Sequence, residues 1–140
     1  MRYKILGTIF DLVAYIPLAF PMYCGDVGGE SVGYRLSVNG FNFTEFSSWG
    51  SLLVTMPIVL LAIAYSKVQN KIKNMLLILF YILNTVTVYN ATTAAGEWVR
   101  GVADGVVDSK LYILFYLLAM FASLVCLYVH NNMYYEYSEV

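Results

Sequence analysis

One acidic side chain, Asp11, lies well inside a long apolar stretch of the 140-residue sequence, and it is the residue best placed to do chemistry. A carboxylate in a hydrocarbon layer is unstable unless it is paired, hydrated or protonated. One interpretation of Asp11 is therefore a site that handles protons or cations, or an anchor for a partner. The other is a structural carboxyl group that hydrogen-bonds to Tyr81 or Asn84, or reaches towards the basic residues at the inner membrane interface.

Polar and small side chains recur at three- and four-residue intervals along the later apolar stretches. This spacing puts them on one face of a helix, where small residues allow close packing and hydroxyl or amide groups bond across membrane helices. Asn84 and Thr87 share such a face in the third stretch, with Asn90 at its edge. The predicted intramembrane polar site consists of Asp11, Tyr81, Asn84, Thr87, Asn90 and Ser123.

The sequence carries no motif for catalysis or for metal binding. The patterns H-E-x-x-H, G-x-S-x-G, the phosphate-binding loop and the dinucleotide-binding loop are missing, and no Cys-x-x-Cys pair occurs. His130 is the only histidine, and Cys126, four residues before it, is too little to complete the three or four ligands of a metal site. We therefore predict that the protein is not an enzyme and has no catalytic residue, metal site, cofactor or nucleic-acid partner.

Four apolar stretches must position these side chains, at residues 5–24, 47–66, 75–95 and 111–130. Each holds about 20 residues, enough for a helix to cross a hydrocarbon layer roughly 30 Å thick. With 60% hydrophobic residues and 12% charged ones, the chain is typical of a protein embedded in a lipid bilayer. The sequence predicts an all-α membrane protein with one domain over 1–140: a bundle of four transmembrane helices, arranged up-down-up-down.

The basic residues predict the orientation of this bundle in the cell membrane. Arg2 and Lys4 precede the first stretch, and three lysines lie in the short segment between the second and third stretches. Because Lys and Arg are retained on the cytoplasmic side, both termini should be cytoplasmic. The loops 25–46 and 96–110 then face outward.

The first outer loop predicts a small β-hairpin over 34–46. The dipeptide Asn39-Gly40 stands between two runs of alternating apolar and polar residues, and Asn-Gly is a strong signal for a two-residue turn. The apolar face of such a hairpin consists of Leu36, Val38, Phe41 and Phe43. Since an isolated hairpin is marginally stable, this face must rest on the helices, on lipid or on a partner.

The second outer loop places charges at a spacing of four residues, which is typical of a short, frayed helix or an ordered turn. Together the two loops give the predicted partner-binding residues Arg35, Leu36, Val38, Phe41, Phe43, Glu97, Arg100, Asp104 and Asp108.

Two functions remain open at this point. The first is a small membrane protein that binds another membrane protein or a second copy of itself, as an immunity-type protein or an accessory subunit. It would use the outer loops and the helix seams. The alternative is an oligomeric channel or carrier for protons, small ions or solutes, which would use Asp11 and the polar face of Asn84, Thr87 and Asn90.

Overall fold

A computed structural model describes residues 2–27, 34–45, 47–108 and 110–138. It is 79% helical, with a three-stranded antiparallel sheet. In chain order the elements are α1 (Arg2–Val13), α2 (Tyr15–Leu18), β1 (Pro21–Val27), β2 (Tyr34–Asn39), a 3-10 helix (Gly40–Glu45), α3 (Ser48–Ala64), α4 (Asn70–Val102), β3 (Asp104–Asp108) and α5 (Lys110–Ser138).

The predicted all-α bundle of four membrane-spanning helices is wrong. Among the residues that the structure describes, only α4 and α5 are both long and apolar enough to cross a membrane. The third and fourth predicted spans, 75–95 and 111–130, lie within these two helices. The other two apolar stretches form shorter elements.

The first predicted span, 5–24, fails because its helix is interrupted and then ends. α1 stops at Val13, α2 ends at Leu18, and β1 begins at Pro21. Proline has no amide hydrogen to donate, and it disfavours helical backbone in the residue before it. Pro21 therefore favours an extended chain where the apolar run alone predicts a helix. The second predicted span, 47–66, gives α3, whose 17 residues fall short of the roughly 20 that a membrane crossing needs.

The two long helices indicate that the protein associates with a membrane. In their most apolar 18-residue windows, only 33% of α4 and 28% of α5 is buried inside the protein. A helix in a soluble core would hide its apolar side chains, whereas these helices expose most of theirs. The large exposed residues on them include Ile78, Leu79, Ile82, Leu83, Val86, Leu114, Phe115, Leu118, Phe121 and Val125.

The helices share one apolar core. α1 packs mainly against α5 and α3 packs mainly against α4, while α4 and α5 also contact each other. The contact between α1 and α5 is close at Gly7, where a Cβ atom would lie 2.8 Å from Leu127 Cγ. The Ser123 hydroxyl donates a hydrogen bond to the Gly7 carbonyl oxygen at the same place. A side chain at position 7 would therefore prevent α1 and α5 from approaching each other this closely.

The helix ends define two ends of the molecule. At one end the Asn70 amide donates to the Asn131 carbonyl oxygen, and the Lys73 ammonium group donates to the carbonyl oxygen of Ala64 at the end of α3. The Lys4 ammonium group lies there too, 4.3 Å from the centroid of the Tyr65 ring. We call this the basic end. The sheet lies at the opposite end of α4, which we call the sheet end.

The sheet has the strand order β2-β1-β3. Its central strand β1 pairs with both neighbours in antiparallel register, so that Cys24 lies opposite Ser37 on β2 and Val107 on β3. The Tyr23 hydroxyl donates to the Thr92 carbonyl oxygen at 2.9 Å, which anchors β1 to α4. The sheet is thus built from segments that are far apart in the sequence.

The predicted hairpin over 34–46 is wrong, although a small sheet is present. Asn39 is the last residue of β2, Gly40 opens the 3-10 helix, and the strand partner of β2 is β1. The side chains of Asn39 and Asn42 each accept a hydrogen bond from the other residue's backbone N–H. Such side-chain bonds compete with a hairpin turn, and no described non-glycine residue adopts the positive φ that an Asn-Gly turn needs.

The second outer loop also differs from the prediction. α4 continues to Val102, and Asp104–Asp108 form strand β3 rather than a helical turn. Arg100 therefore contacts Asp108 across the strand, at 3.7 Å between Nη2 and Oδ2, and not Asp104 along a helix.

Candidate functional site

Four of the predicted polar residues are buried between the helices. Asp11 on α1, Asn84 and Thr87 on α4, and Ser123 on α5 are all 2% exposed or less. Tyr116 on α5 is fully buried with them. These five residues form the candidate site, which we call the buried polar cluster.

Four members of the buried polar cluster take part in hydrogen bonds, either between two helices or within one helix. Tyr116 donates to Asn84 Oδ1 at 3.0 Å and so joins α5 to α4. Ser123 donates to the Gly7 carbonyl oxygen and joins α5 to α1. Thr87 donates to the carbonyl oxygen of Leu83, one turn earlier in α4. These groups are satisfied inside the protein.

Asp11 differs from the others. Neither of its carboxyl oxygens has a hydrogen-bond partner among the described residues. It lies within electrostatic reach of the Tyr116 and Tyr15 phenols. Tyr15 donates instead to the Val54 carbonyl oxygen on α3, at 2.8 Å. Asn84 Oδ1 takes its bond from Tyr116, and so the structure places neither of the two predicted partners, Tyr81 and Asn84, on the Asp11 carboxyl group.

Two predicted site residues lie outside the buried polar cluster. Tyr81 is 48% exposed, and its ring meets the ring of Phe121 edge-on. Asn90 is only half-buried. Sequence reasoning omitted Tyr116 from the site, although a signal was present: Tyr116 precedes Ser123 by seven residues, which places both on one helix face.

The structure buries two residues of the predicted apolar docking face and leaves the other two at least partly exposed. Val38 is 2% exposed and Phe43 is fully buried, so both belong to the protein's own core. Leu36 is half-buried. Phe41 remains exposed and stacks on Tyr15, with ring centroids 6.1 Å apart. The Arg35 side chain lies outside the described part of the structure.

The four predicted partner-binding residues of the second outer loop are all exposed at the sheet end. Glu97 and Arg100 lie on the last turns of α4, whereas Asp104 and Asp108 are the first and last residues of β3. Behind them, burial raises the pKa of Tyr23; the effects of Arg100, which lowers it, and Asp108, which raises it, are smaller. At the sheet end, therefore, Tyr23 joins β1 to α4, and the charged side chains around it remain exposed.

No group of three or more His, Cys, Asp or Glu side chains in the described ranges is placed to hold a metal ion. Cys24 and Cys126, both half-buried, are free thiols.

Removing the Tyr116 hydroxyl is expected to destabilise the protein by about 1–3 kcal/mol, since Asn84 Oδ1 would stay buried without its donor. The double variant Tyr116→Phe, Asn84→Leu removes both partners and should recover most of that loss. Chemical denaturation in detergent micelles measures the free energy of unfolding. If the losses of the two single variants simply add in the double variant, the two side chains are not coupled.

Comparison of the chain with protein-family models, with curated proteins and with solved structures finds no match.

Proposed function

We propose that this protein crosses the cell membrane with α4 and α5 and binds a partner protein at its sheet end, as an accessory subunit or an immunity-type protein. The observation that carries the proposal is the open edge of β3. Within the described residues this strand has a strand partner on one side only, which is β1.

An open strand edge presents N–H and C=O groups that an extended segment of another chain can pair with. β3 has features of such an edge: Val107 is 61% exposed, and Gly105 is exposed beside it without side-chain bulk. The other outer strand, β2, is followed by the 3-10 helix that packs on α3. β3 is therefore the strand that we assign to the partner.

Charge favours a basic partner. Among the described side chains of the sheet end, the exposed acidic ones outnumber the exposed basic ones: Asp26, Glu45, Glu97, Asp104 and Asp108 against Arg100 and Lys110. Arg100 is already paired with Asp108. A partner segment with Lys or Arg residues would thus be attracted to β3 and repelled by few groups there.

The proposed orientation places the sheet end outside the cell. α1 begins at the basic end and α5 finishes there, because Lys4 lies against Tyr65 and Asn131 bonds to Asn70. The exposed Lys67 and Lys71 belong to the same end. A basic end is retained in the cytoplasm, which would put both termini inside.

A carrier of protons or ions is the second candidate, and only Asp11 favours it. A polar path needs groups that are free to exchange partners with water or ions. The hydroxyl groups of Ser123 and Thr87 and the Asn84 oxygen are instead bonded within the protein. The partner-binding function is therefore the better supported of the two.

A photo-crosslinking amino acid at Val107 tests the proposed function. In native membranes we expect a crosslink from position 107 to one protein of discrete mass. The same label at Leu79, which is 60% exposed on the apolar face of α4, should give none, and neither should position 107 in the charge-reversal variant Asp104→Lys. An adduct of equal yield in that variant, or at Leu79 alone, would contradict a sheet-end site. Loss of proton flux into liposomes in Asp11→Asn, without any adduct at position 107, would favour the carrier.

A further inference from the structure

The environment of Asp11 determines whether its carboxyl group is ionised or neutral. The side chain is fully buried, and its two oxygens have no hydrogen-bond partner in the described ranges. The phenols of Tyr15 and Tyr116 donate their hydrogen bonds to other groups. Tyr15 donates to the Val54 carbonyl oxygen, and Tyr116 donates to Asn84 Oδ1. A carboxylate would therefore lie in an apolar space without any donor.

Within the described ranges, no positive charge offsets the burial of this carboxyl group. The titratable groups that face it are Tyr15 on α2 and Tyr116 on α5. On the α3 side the phenol of Tyr65 contacts Thr8, one turn before Asp11, at 2.9 Å between the oxygens. No Lys, Arg or His of the described residues acts on Asp11. Burial without a counter-charge destabilises the ionised form and leaves the neutral acid as the stable one.

A metal ion does not fit this position. A hard cation such as Ca²⁺ or Mg²⁺ needs six or so oxygen ligands around it. Within the described part of the chain no second or third carboxylate, histidine or cysteine joins Asp11 in a group that could hold a metal ion, so the carboxyl group has no charged companions for a coordination shell. The proton is the cation that a lone buried carboxyl group can hold.

We propose that Asp11 is a proton-binding site, neutral while α1 is packed on α5, and that it releases its proton only when the two helices separate and admit water. This inference does not depend on the partner-binding function. The contact that would control release is one turn away, where Gly7 meets Leu127 and accepts the Ser123 hydrogen bond. Gly7 and Asp11 lie four residues apart and so face α5 together.

Carbon-13 NMR of the full chain, labelled at the aspartate side-chain carboxyl carbons, tests the proposal in lipid nanodiscs. The sequence has four aspartates, and the three others, Asp26, Asp104 and Asp108, are exposed. At pH 7 we expect three signals of carboxylates and one of a neutral acid. The neutral signal should disappear in Asp11→Asn. Should that variant fail to fold, Asn substitutions at the three exposed positions assign the remaining signal to Asp11.

A bulky residue at Gly7 tests the role of the helix contact. Gly7→Leu should push α1 away from α5, hydrate Asp11, and shift its titration midpoint downward by about 2 pH units or more. The matched control is Gly101→Leu, because no atom lies within 4 Å of a Cβ at that position; it should leave the Asp11 signal unchanged. Four carboxylate signals at pH 7 in the unmodified chain would overturn the proposal. An Asp11 midpoint that is the same with Gly and Leu at position 7 would overturn the part assigned to the helix contact.

Discussion

Replacing Gly50 with alanine is expected to destabilise the protein by about 3 kcal/mol or more, at the upper limit of what overpacking usually costs. Gly50 lies in the first turn of α3, where the chain of the 3-10 helix crosses it. A Cβ atom there would collide with the backbone carbonyl group of Phe43 and approach the backbone nitrogen of Thr44. A side chain can rotate away from such a contact, but a backbone segment cannot.

The consequence of Gly50→Ala should extend beyond the local contact. The 3-10 helix would have to lift from α3, and β2, which runs directly into it, would lose its support. Thermal unfolding in detergent micelles, followed by circular dichroism, measures the loss. Gly101→Ala is the matched control, because that position in α4 is open and alanine favours a helix by roughly 0.5–1 kcal/mol over glycine. Equal melting temperatures for Gly50→Ala and the unmodified protein would show that the 3-10 helix does not press on α3.

The two long helices could be predicted from sequence because nothing interrupts their apolar runs. The first stretch has the same composition but contains Pro17 and Pro21. A short apolar run is compatible with either a buried strand or a helix, and periodicity alone does not separate them. The apolar run alone therefore predicts a helix over β1, and without β1 as its strand partner the sequence of β2 predicts a hairpin with the residues after Gly40.

The candidate site, too, could be predicted only in part from the sequence. Helix periodicity places Asn84, Thr87 and Ser123 on inward faces, and the structure buries all three. What periodicity cannot provide is the pairing between helices, because that depends on how far each helix is rotated and shifted against its neighbour. For this reason the sequence does not predict the hydrogen bond from Tyr116 to Asn84. Nor does it predict that the Asp11 carboxyl group has no hydrogen-bond partner among the described residues.

A different physical reason applies to the predicted partner-binding residues, which the structure divides between core and surface. An apolar side chain in a predicted outer loop can serve a partner, lipid or the protein's own core, and the sequence does not say which. The 3-10 helix turns its chain back onto α3, and Phe43 enters the core beside Tyr23, with ring centroids 6.2 Å apart. Of the predicted binding residues, Phe41 and the charged residues of α4 and β3 are exposed, and the proposed binding surface keeps the charged residues of the second outer loop.

Phe43→Ala is expected to cost about 3–5 kcal/mol, the range for removing a fully buried aromatic side chain. The loss should be this large because Phe43 lies at the sheet end, where its side chain is shielded from water by α3 and β1. Deep in a bilayer, by contrast, lipid chains would solvate an exposed ring almost as well as the protein does. Chemical denaturation in micelles measures the difference in the free energy of unfolding.

Phe41→Ala is the matched control, since it removes the same side chain two residues away from a position that is 38% exposed. It loses only the stacking on Tyr15, which is worth about 0.5–1.5 kcal/mol. Under the docking hypothesis drawn from the sequence, both variants would instead keep their stability and lose the partner to a similar extent. A stable Phe43→Ala variant that no longer forms the crosslink at position 107 would thus show that the apolar face of the first outer loop binds the partner. A strongly destabilised Phe43→Ala beside a stable, crosslinking Phe41→Ala would assign Phe43 to the core and leave β3 as the place where the partner binds.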